Sequence, residues 1–500
     1  MEEISIFPIV IISMFLLWSI TTKWLFAKKK NFPPSPRKLP IIGNIHQIVV
    51  GSSFPHRNFE KLSKKHGPIM LLHFGSVPVL IVSSADGARE IMKTHDLNFA
   101  NRPFMSAFNK LFYDGKDVSL APYGELWRQM KSILSVHLLN NKRVQSFRSI
   151  RKDETALVVK NICREISSSD KAVIDLSKMF IELTNNVICR SSFGVKCSEW
   201  EKGKRFMVLL SDLSELTGIV NIGDFIPSLG WISRVNGFHK KVERVAKEVD
   251  DFLEDVIQQH METPQNSFVD NLIEIVSDKT SADASLIDRD CIKALILDVF
   301  AGGTDTVSTF LEWLMSEILR NPNVMKKLQK EVRDIMEDKK DITDDDLEKM
   351  DYMKAVIKEA FRCHPPGPIL VPRVALADVK IKGYDVLRGT WVFVNVWAIG
   401  RDPDCWDEPE KFEPERFLNK SSVIDFKGLD FELIPFGAGR RGCPGIAFST
   451  ATIEFVLANL MHKFNWELPD GLHGKDLDMT ESPGATVHRL VPLLAVATHK

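Results

Sequence analysis

Beyond residue 85 the apolar positions recur mainly three and four apart, the spacing of helices that bury one face. Few strand-like runs interrupt them before residue 370. Earlier, two short apolar runs, 69–74 and 78–82, flank Gly75-Ser76 and read as a hairpin. Trp127-Arg128-Gln129-Met130-Lys131 opens an amphipathic helix, with Trp127 and Lys131 on one face. Residues 207–238 are apolar but broken by Gly218, Gly223, Pro227 and Gly230. They fit a buried helix–loop–helix as well as a patch that meets a membrane or roofs a channel. The strongest long helix spans 292–319, although Gly302 and Gly303 in its middle each cost about 1 kcal/mol relative to alanine. A local bulge and close approach of a ligand would offset that cost. Short strands at 370–374, 379–381 and 391–396, with a turn at Gly383, precede a buried helix that begins at Ile446. There is no internal repeat.

The N-terminus adds a different pattern. Residues 4–22 carry no charge and are long enough to cross a hydrocarbon core of about 30 Å. Glu2 and Glu3 precede them and Lys23, Lys28, Lys29 and Lys30 follow, which orients the rest of the chain to the cytosol. A cleaved signal peptide fits less well, because the flanking charge is reversed and no small-residue cleavage site follows. The sequon Asn419-Lys420-Ser421 would then stay unmodified. Pro33-Pro34-Ser35-Pro36 makes a stiff extended linker. The expected organisation is an anchor with basic flank over 1–30, a proline-rich hinge over 31–44 and a catalytic domain over 45–500.

Composition narrows this picture only slightly. A length of 500 residues alone favours roughly three domains. With 44% hydrophobic and 26% charged residues the chain can bury a large core, and a net charge of -1 gives no reason to expect a nucleic-acid partner. The 7 cysteines are scattered without C-x-x-C pairs, which argues against a zinc site or a disulfide framework and fits a reducing compartment. The acidic, lysine-rich stretch 337–351 reads as a solvated face.

One cysteine has a distinctive setting. Pro435-Phe436-Gly437-Ala438-Gly439-Arg440-Arg441-Gly442-Cys443-Pro444-Gly445 places a thiol just ahead of the helix that begins at Ile446. Glycines let backbone pass close to a large flat group. The helix N-terminus and the arginines favour a thiolate, a soft axial ligand for heme iron.

Phe436, Gly439, Arg441, Cys443 and Gly445 fit F-x-x-G-x-R-x-C-x-G, and here the chain resembles the cytochrome P-450 heme-thiolate family. Other stretches resemble that family in order. The proline cluster resembles a microsomal hinge. Trp127…Lys131 resembles W-x-x-x-R with Lys for Arg. Ala301-Gly302-Gly303-Thr304-Asp305-Thr306-Val307 resembles the oxygen-activation motif, with Val307 for its last Thr or Ser. Glu359, Arg362 and Arg416 resemble the E-x-x-R…P-E-R-F brace behind the heme loop. Arg373 resembles the second propionate arginine. Segments 368–371 and 482–486 resemble substrate contacts, whereas Asp298 reads as a structural carboxylate.

The resemblance implies a mainly α fold: one large helical domain, a smaller β-rich lobe and one N-terminal transmembrane helix. It implies heme b, with Cys443 as metal ligand and Trp127, Lys131, Arg373, Phe436 and Arg441 around the cofactor. Asp305 and Thr306 would be the catalytic proton relay. The expected activity is a plant microsomal monooxygenase of specialised metabolism. Its partners would be NADPH–cytochrome P-450 reductase, docked on a face that includes Lys142, Arg143 and Arg440, and cytochrome b5 as a further donor. The substrate would be a small apolar terpenoid, alkaloid or coumarin-like molecule, met with O2 at the endoplasmic reticulum membrane. Oxidative ring closure or coupling, a reductase-independent rearrangement and non-catalytic heme binding remain alternatives on the same residues.

Overall fold

The computed structural model describes residues 30–49, 54–168, 172–277, 286–337, 339–418 and 424–500. The predicted anchor over 4–22 and the sequon at Asn419 lie outside them. Strands β1 (Ile69–Phe74) and β2 (Val77–Val82) form the predicted hairpin. Then come helix α1 (Glu125–Ser132), α2 (Arg148–Ser168), β3 (Ala172–Asp175), α3 (Leu176–Phe193) and α4 (Phe238–Glu262). Helices α5 (Arg289–Gly303), α6 (Asp305–Arg320) and α7 (Asp351–Cys363) lead to β4 (Arg373–Val374), β5 (Val379–Ile381), β6 (Tyr384–Val386) and β7 (Trp391–Val394). The chain ends with α8 (Ile446–Lys463), β8 (Phe464–Glu467), β9 (Glu481–Ser482), β10 (His488–Arg489) and β11 (Leu494–His499).

The helices share one extended apolar core, and the β-rich lobe has two smaller ones of its own. In the lobe, β1 pairs antiparallel with β2, Leu72 opposite Val79, and β2 pairs parallel with β7, Ile81 opposite Phe393. β4 joins the far edge antiparallel, Arg373 opposite Val392. That register carries Arg373 from the sheet edge toward the cysteine loop. The proline segment is docked on this lobe: Leu71 N–H donates to the Pro34 carbonyl at 2.9 Å and Asn31 N–H to the Asp385 carboxylate at 2.7 Å.

Three expectations change. The long helix over 292–319 is two helices, α5 and α6, parted at Thr304, whose φ of −87° and ψ of −64° depart from helical values. Thr304 and Thr306 hydroxyls donate back to the Phe300 and Gly302 carbonyls at 2.9 and 2.7 Å, a bonding pattern that bends helices. The two glycines also have different reasons to be there. A Cβ on Gly303 would lie 2.7 Å from the Ile188 side chain on α3, whereas one on Gly302 would meet nothing within 4 Å. Helix packing selects the first, and only the second faces open space. Next, Cys189 and Cys197 form a disulfide with Cα atoms 5.7 Å apart. The scattered spacing hid it because the turn at Gly194, φ +75°, folds the chain back after α3. Finally, the acidic stretch 337–351 is not all solvated. Thr343 and Asp346 cap the short helix Asp344–Glu348 reciprocally, and Asp346 is buried against Lys339.

Behind the cysteine loop, Glu359 and Arg362 on α7 are paired with both side chains fully buried, Nε to carboxylate at 2.7 Å. Arg416 reaches the same carboxylate at 3.1 Å, and the Glu413 N–H donates to it at 2.7 Å. Arg362 also donates to the Gly400 and Pro409 carbonyls, both at 2.6 Å. Because no water can compensate, Glu359→Ala strands a buried guanidinium and should cost about 3–5 kcal/mol. Urea unfolding of the heme-loaded protein checks this. A loss below about 1 kcal/mol, the size typical of an exposed pair, would show that the brace is dispensable.

Candidate active site

The cysteine loop is a tight double reversal. Gly437 and Gly439 have φ of +66° and +68°, in the left-handed region that glycine tolerates without strain. Cys443 N–H donates to the Phe436 carbonyl at 2.9 Å and Gly442 N–H to the Gly439 carbonyl at 3.0 Å. The Phe436 ring sits edge-on to Phe361 of α7, centroids 5.0 Å apart, which ties the loop to the buried brace. A Cβ on Gly439 would lie 2.3 Å from the Met92 carbonyl and 2.6 Å from the Asp96 carboxylate.

The Cys443 thiol is deeply placed in the protein, yet its surface is bare. Burial pushes it up from the ordinary thiol value, opposed by the Gly445 N–H, 3.3 Å from the sulfur, and by the Lys131 ammonium. The helix terminus foreseen from sequence is therefore present, but the cation acting on the thiol is Lys131 rather than Arg440 or Arg441, and burial is the larger effect. Cys291 and Cys363 are buried and pushed up to about 12, as inert structural thiols are.

Around the thiol the interior carries an excess of cations. Arg441 donates to the carbonyls of Ala100, Val118 and Ala121, and its guanidinium lies 4.3 Å from the Trp127 ring centroid. Trp127 gives its indole N–H to the Val118 carbonyl at 3.0 Å, and Lys131 donates to the Gly442 carbonyl at 2.8 Å. Arg373 spans Asp96, at 3.1 Å, and the Ala438 carbonyl, at 2.8 Å. Arg102 holds the Ser119, Val371 and Pro372 carbonyls. Burial lowers all four cations, and neighbouring cations lower Lys131, Arg102 and Arg441 further. Lys131 falls to about 8 and Arg441 to about 10.

The nearby carboxyl groups compensate poorly. Burial, followed by repulsion from Asp117, pushes Asp298 up to about 8, and burial raises Asp117 as well. Asp298 accepts the Val118 N–H at 2.6 Å and so fixes the loop that feeds Arg441 and Trp127. A set of buried donors and cations beside a bare thiol suits a flat group that carries carboxylates. The residues fit heme, whose propionates are carboxylates and whose iron takes a thiolate.

Structure thus brings together Trp127, Lys131, Arg373, Phe436, Arg441 and Cys443, foreseen from sequence. It adds Asp96, Arg102 and Asp117, which carried no motif. Asp96 and Arg373 are 277 positions apart, and only the fold reveals their contact. Thr306 lies at the α5–α6 break. Asp305 is paired 3.1 Å from His488 Nε2, a partner with no local signal.

The cytochrome P-450 family matches over residues 33–491. A cytochrome P-450, 736A117, of Prunus mume is 53% identical over 491 residues, covering 96% of this chain and 92% of its own. The psoralen synthase of Ammi majus is 49% identical over 493 residues, covering 97% and 96%. The tabersonine/lochnericine 19-hydroxylase of Catharanthus roseus is 48% identical over 486 residues, covering 95% and 94%. A zebra fish cytochrome P-450 solved with abiraterone superposes with a TM-score of 0.75 at 25% identity, over 89% of this chain and 100% of that one.

The chain belongs to the cytochrome P-450 family. It is a monooxygenase with heme as its cofactor, close to plant members of specialised metabolism, and its fold is mainly helical with small sheets.

Gly439→Ala combines a strained φ with a backbone clash, so heme-loaded yield should fall several-fold and the thermal midpoint should drop. Gly302→Ala removes a mid-helix glycine, worth about 1 kcal/mol, and should preserve folding while placing a methyl in the open face. Paired melting curves and product profiles separate the two. Equal thermal loss in both variants would contradict the geometry.

Proposed function

We propose that this monooxygenase resides in the endoplasmic reticulum membrane, anchored by residues 4–22, and oxidises a small apolar plant metabolite. Its electrons come from NADPH through NADPH–cytochrome P-450 reductase. The observation that carries the reading is the bare thiol of Cys443 set among buried cations in the glycine-rich loop. When bound, heme supplies the O2-activating chemistry. Cys443 would hold its iron. Trp127, Lys131, Arg373 and Arg441 would turn their donors from backbone carbonyls to its carboxylates. Phe436 would pack against its face.

Thr306 and Asp305 hold and move the proton. The Thr306 hydroxyl bonds the Gly302 carbonyl at the break between α5 and α6. Leu370, at φ +48°, is held in a conformation rare for a branched side chain, and it places Val371 46% exposed despite its apolar character. Relatives named for tabersonine/lochnericine hydroxylation and for psoralen synthesis support a rigid, multi-ring alkaloid or coumarin-like substrate. The second of these names also favours ring-forming oxidation as an alternative outcome.

Membrane placement is supported at one end of the lobe. Ile219, Val220, Trp231 and Val235 are exposed there, as are Leu39 and Ile41 of the proline segment. Both stretches bond the β1–β2 turn: the Phe225 carbonyl accepts from Ser76 N–H, and the Ile42 carbonyl from Gly75 N–H. Of the basic residues proposed for reductase docking, Lys142 is exposed, whereas Arg143 bonds Asn271 and Arg440 pairs with Asp96.

Expression in microsomes with a reductase tests the reading. Cys443→Ser should abolish the thiolate-type spectrum of the reduced carbon monoxide complex. Thr306→Ala should keep that spectrum and consume NADPH, yet lose about 10²-fold or more of product formation. An unchanged ratio of product to NADPH would remove Thr306 from the proton path.

A further inference from the structure

The acid on α6 is held from outside its own helix. Asp305 lies 3.1 Å from His488 Nε2 on β10, and the other ring nitrogen, Nδ1, lies 2.8 Å from the Thr309 hydroxyl. Thr309 is one turn further along α6 and buried. Thr486, in the turn before β10, also bonds the Asp305 carboxylate. The hairpin that presents His488 is anchored independently of this pair. Trp313 donates its indole N–H to the Val487 carbonyl at 2.8 Å, and Arg489 donates to the Ser316 hydroxyl at 3.0 Å. Asp305 and His488 side chains nevertheless keep 29% and 35% of their surface exposed, so protons can reach them.

We propose that His488 is a positioning residue of the proton path, fixing the Asp305 carboxylate next to Thr306 and setting how readily it turns toward that hydroxyl. This rests on the reading of Asp305 and Thr306 as that path. Both protonation states of the ring fit the same heavy-atom positions. In the imidazolium, Nε2–H donates to Asp305 and Nδ1–H donates to Thr309, so a full ion pair holds the acid. In the neutral ring, Nε2–H still donates to Asp305 while the Thr309 hydroxyl turns to donate to Nδ1. Only a hydrogen bond then restrains the acid. The switch needs no repacking, because a hydroxyl rotates freely.

The charges that face the ring are few. From α6 they are Asp305 and Glu312, and Glu312 bonds Ser177 of α3. On the hairpin, Arg489 adjoins the ring, while Glu481 of β9 is engaged with His56 and Arg57. Burial lowers His488, but its bond and attraction to Asp305, with Glu312 behind, outweigh burial and leave it above the ordinary histidine value. Burial raises Asp305, but the His488 and Thr486 contacts leave it below the ordinary carboxylate value. Stabilisation through His488 is therefore full below the unfolded histidine value of about 6.5 and fades as pH rises through the raised folded one. The share through Asp305 is full above the unfolded carboxylate value of about 3.9 and fades on acidification through the lowered one.

The test uses full-length enzyme with reductase in microsomes or nanodiscs. His488→Gln keeps an N–H toward Asp305 but cannot titrate. In the wild type, product formed per NADPH should change by roughly tenfold as pH rises through and above neutrality, less than the ~10²-fold or more expected for loss of a proton-transfer group itself. In His488→Gln the profile should be flat. The apparent thermal midpoint gives a readout independent of turnover. Its difference between wild type and His488→Gln should shrink as pH rises over the same range, and Asp305→Asn should remove that dependence. Thr309→Val, which deletes only the Nδ1 partner, should shift the inflection and serves if His488→Gln fails to fold. Parallel pH profiles for wild type and His488→Gln in both measurements overturn the proposal while Asp305 and Thr306 stand. Unchanged coupling in Thr306→Ala overturns the proton path itself, and the proposal with it.

Discussion

Positive charge without water is the constraint on which this interior depends. Arg102, Lys131, Arg373 and Arg441 are carried into the protein and repel one another there. Each is satisfied by backbone carbonyls from loops far apart in sequence, and these contacts shape the walls of the site. An interior of this kind gains when a carboxylate-bearing cofactor enters, because attraction replaces repulsion in a low-dielectric setting. Cofactor affinity and loop order are then coupled.

The glycines serve the same end by different means. At Gly439 the chain must turn through a left-handed conformation hard against Met92 and Asp96. At Gly303 the requirement is contact with α3, and at Gly302 it is bare space. Threonines at 304 and 306 complete the break by taking up carbonyls that a regular helix would have used. Oxygen chemistry needs a wide groove beside a proton donor. Here the helix break follows a packing demand on one residue and freedom at its neighbour.

The cysteine loop, the hairpin at β1–β2, the brace at Glu359 and the position of α8 were all readable along the chain, because each depends on local spacing or on a dense motif. The boundary at Thr304 was half readable: two glycines signalled a disturbance but did not tell a bulge from a break. Asp96, Arg102 and Asp117 were invisible, since an isolated charged residue reads as solvated until the fold buries it. The Cys189–Cys197 bond was hidden for a related reason. Its spacing is unremarkable, and only the turn at Gly194 brings the two sulfurs together. His488 was equally invisible, lying 179 positions from Thr309.

The contact between Gly303 and Ile188 ties two distant positions into a single steric quantity. Ile188 adjoins the cross-linked Cys189, so its backbone has little freedom to retreat. A side chain at 303 must first displace the Ile188 δ-methyl, the far end of that side chain. A smaller residue at 188 would release position 303 to carry a side chain. The packing just before the α5–α6 break is therefore set in part by a residue on a neighbouring helix.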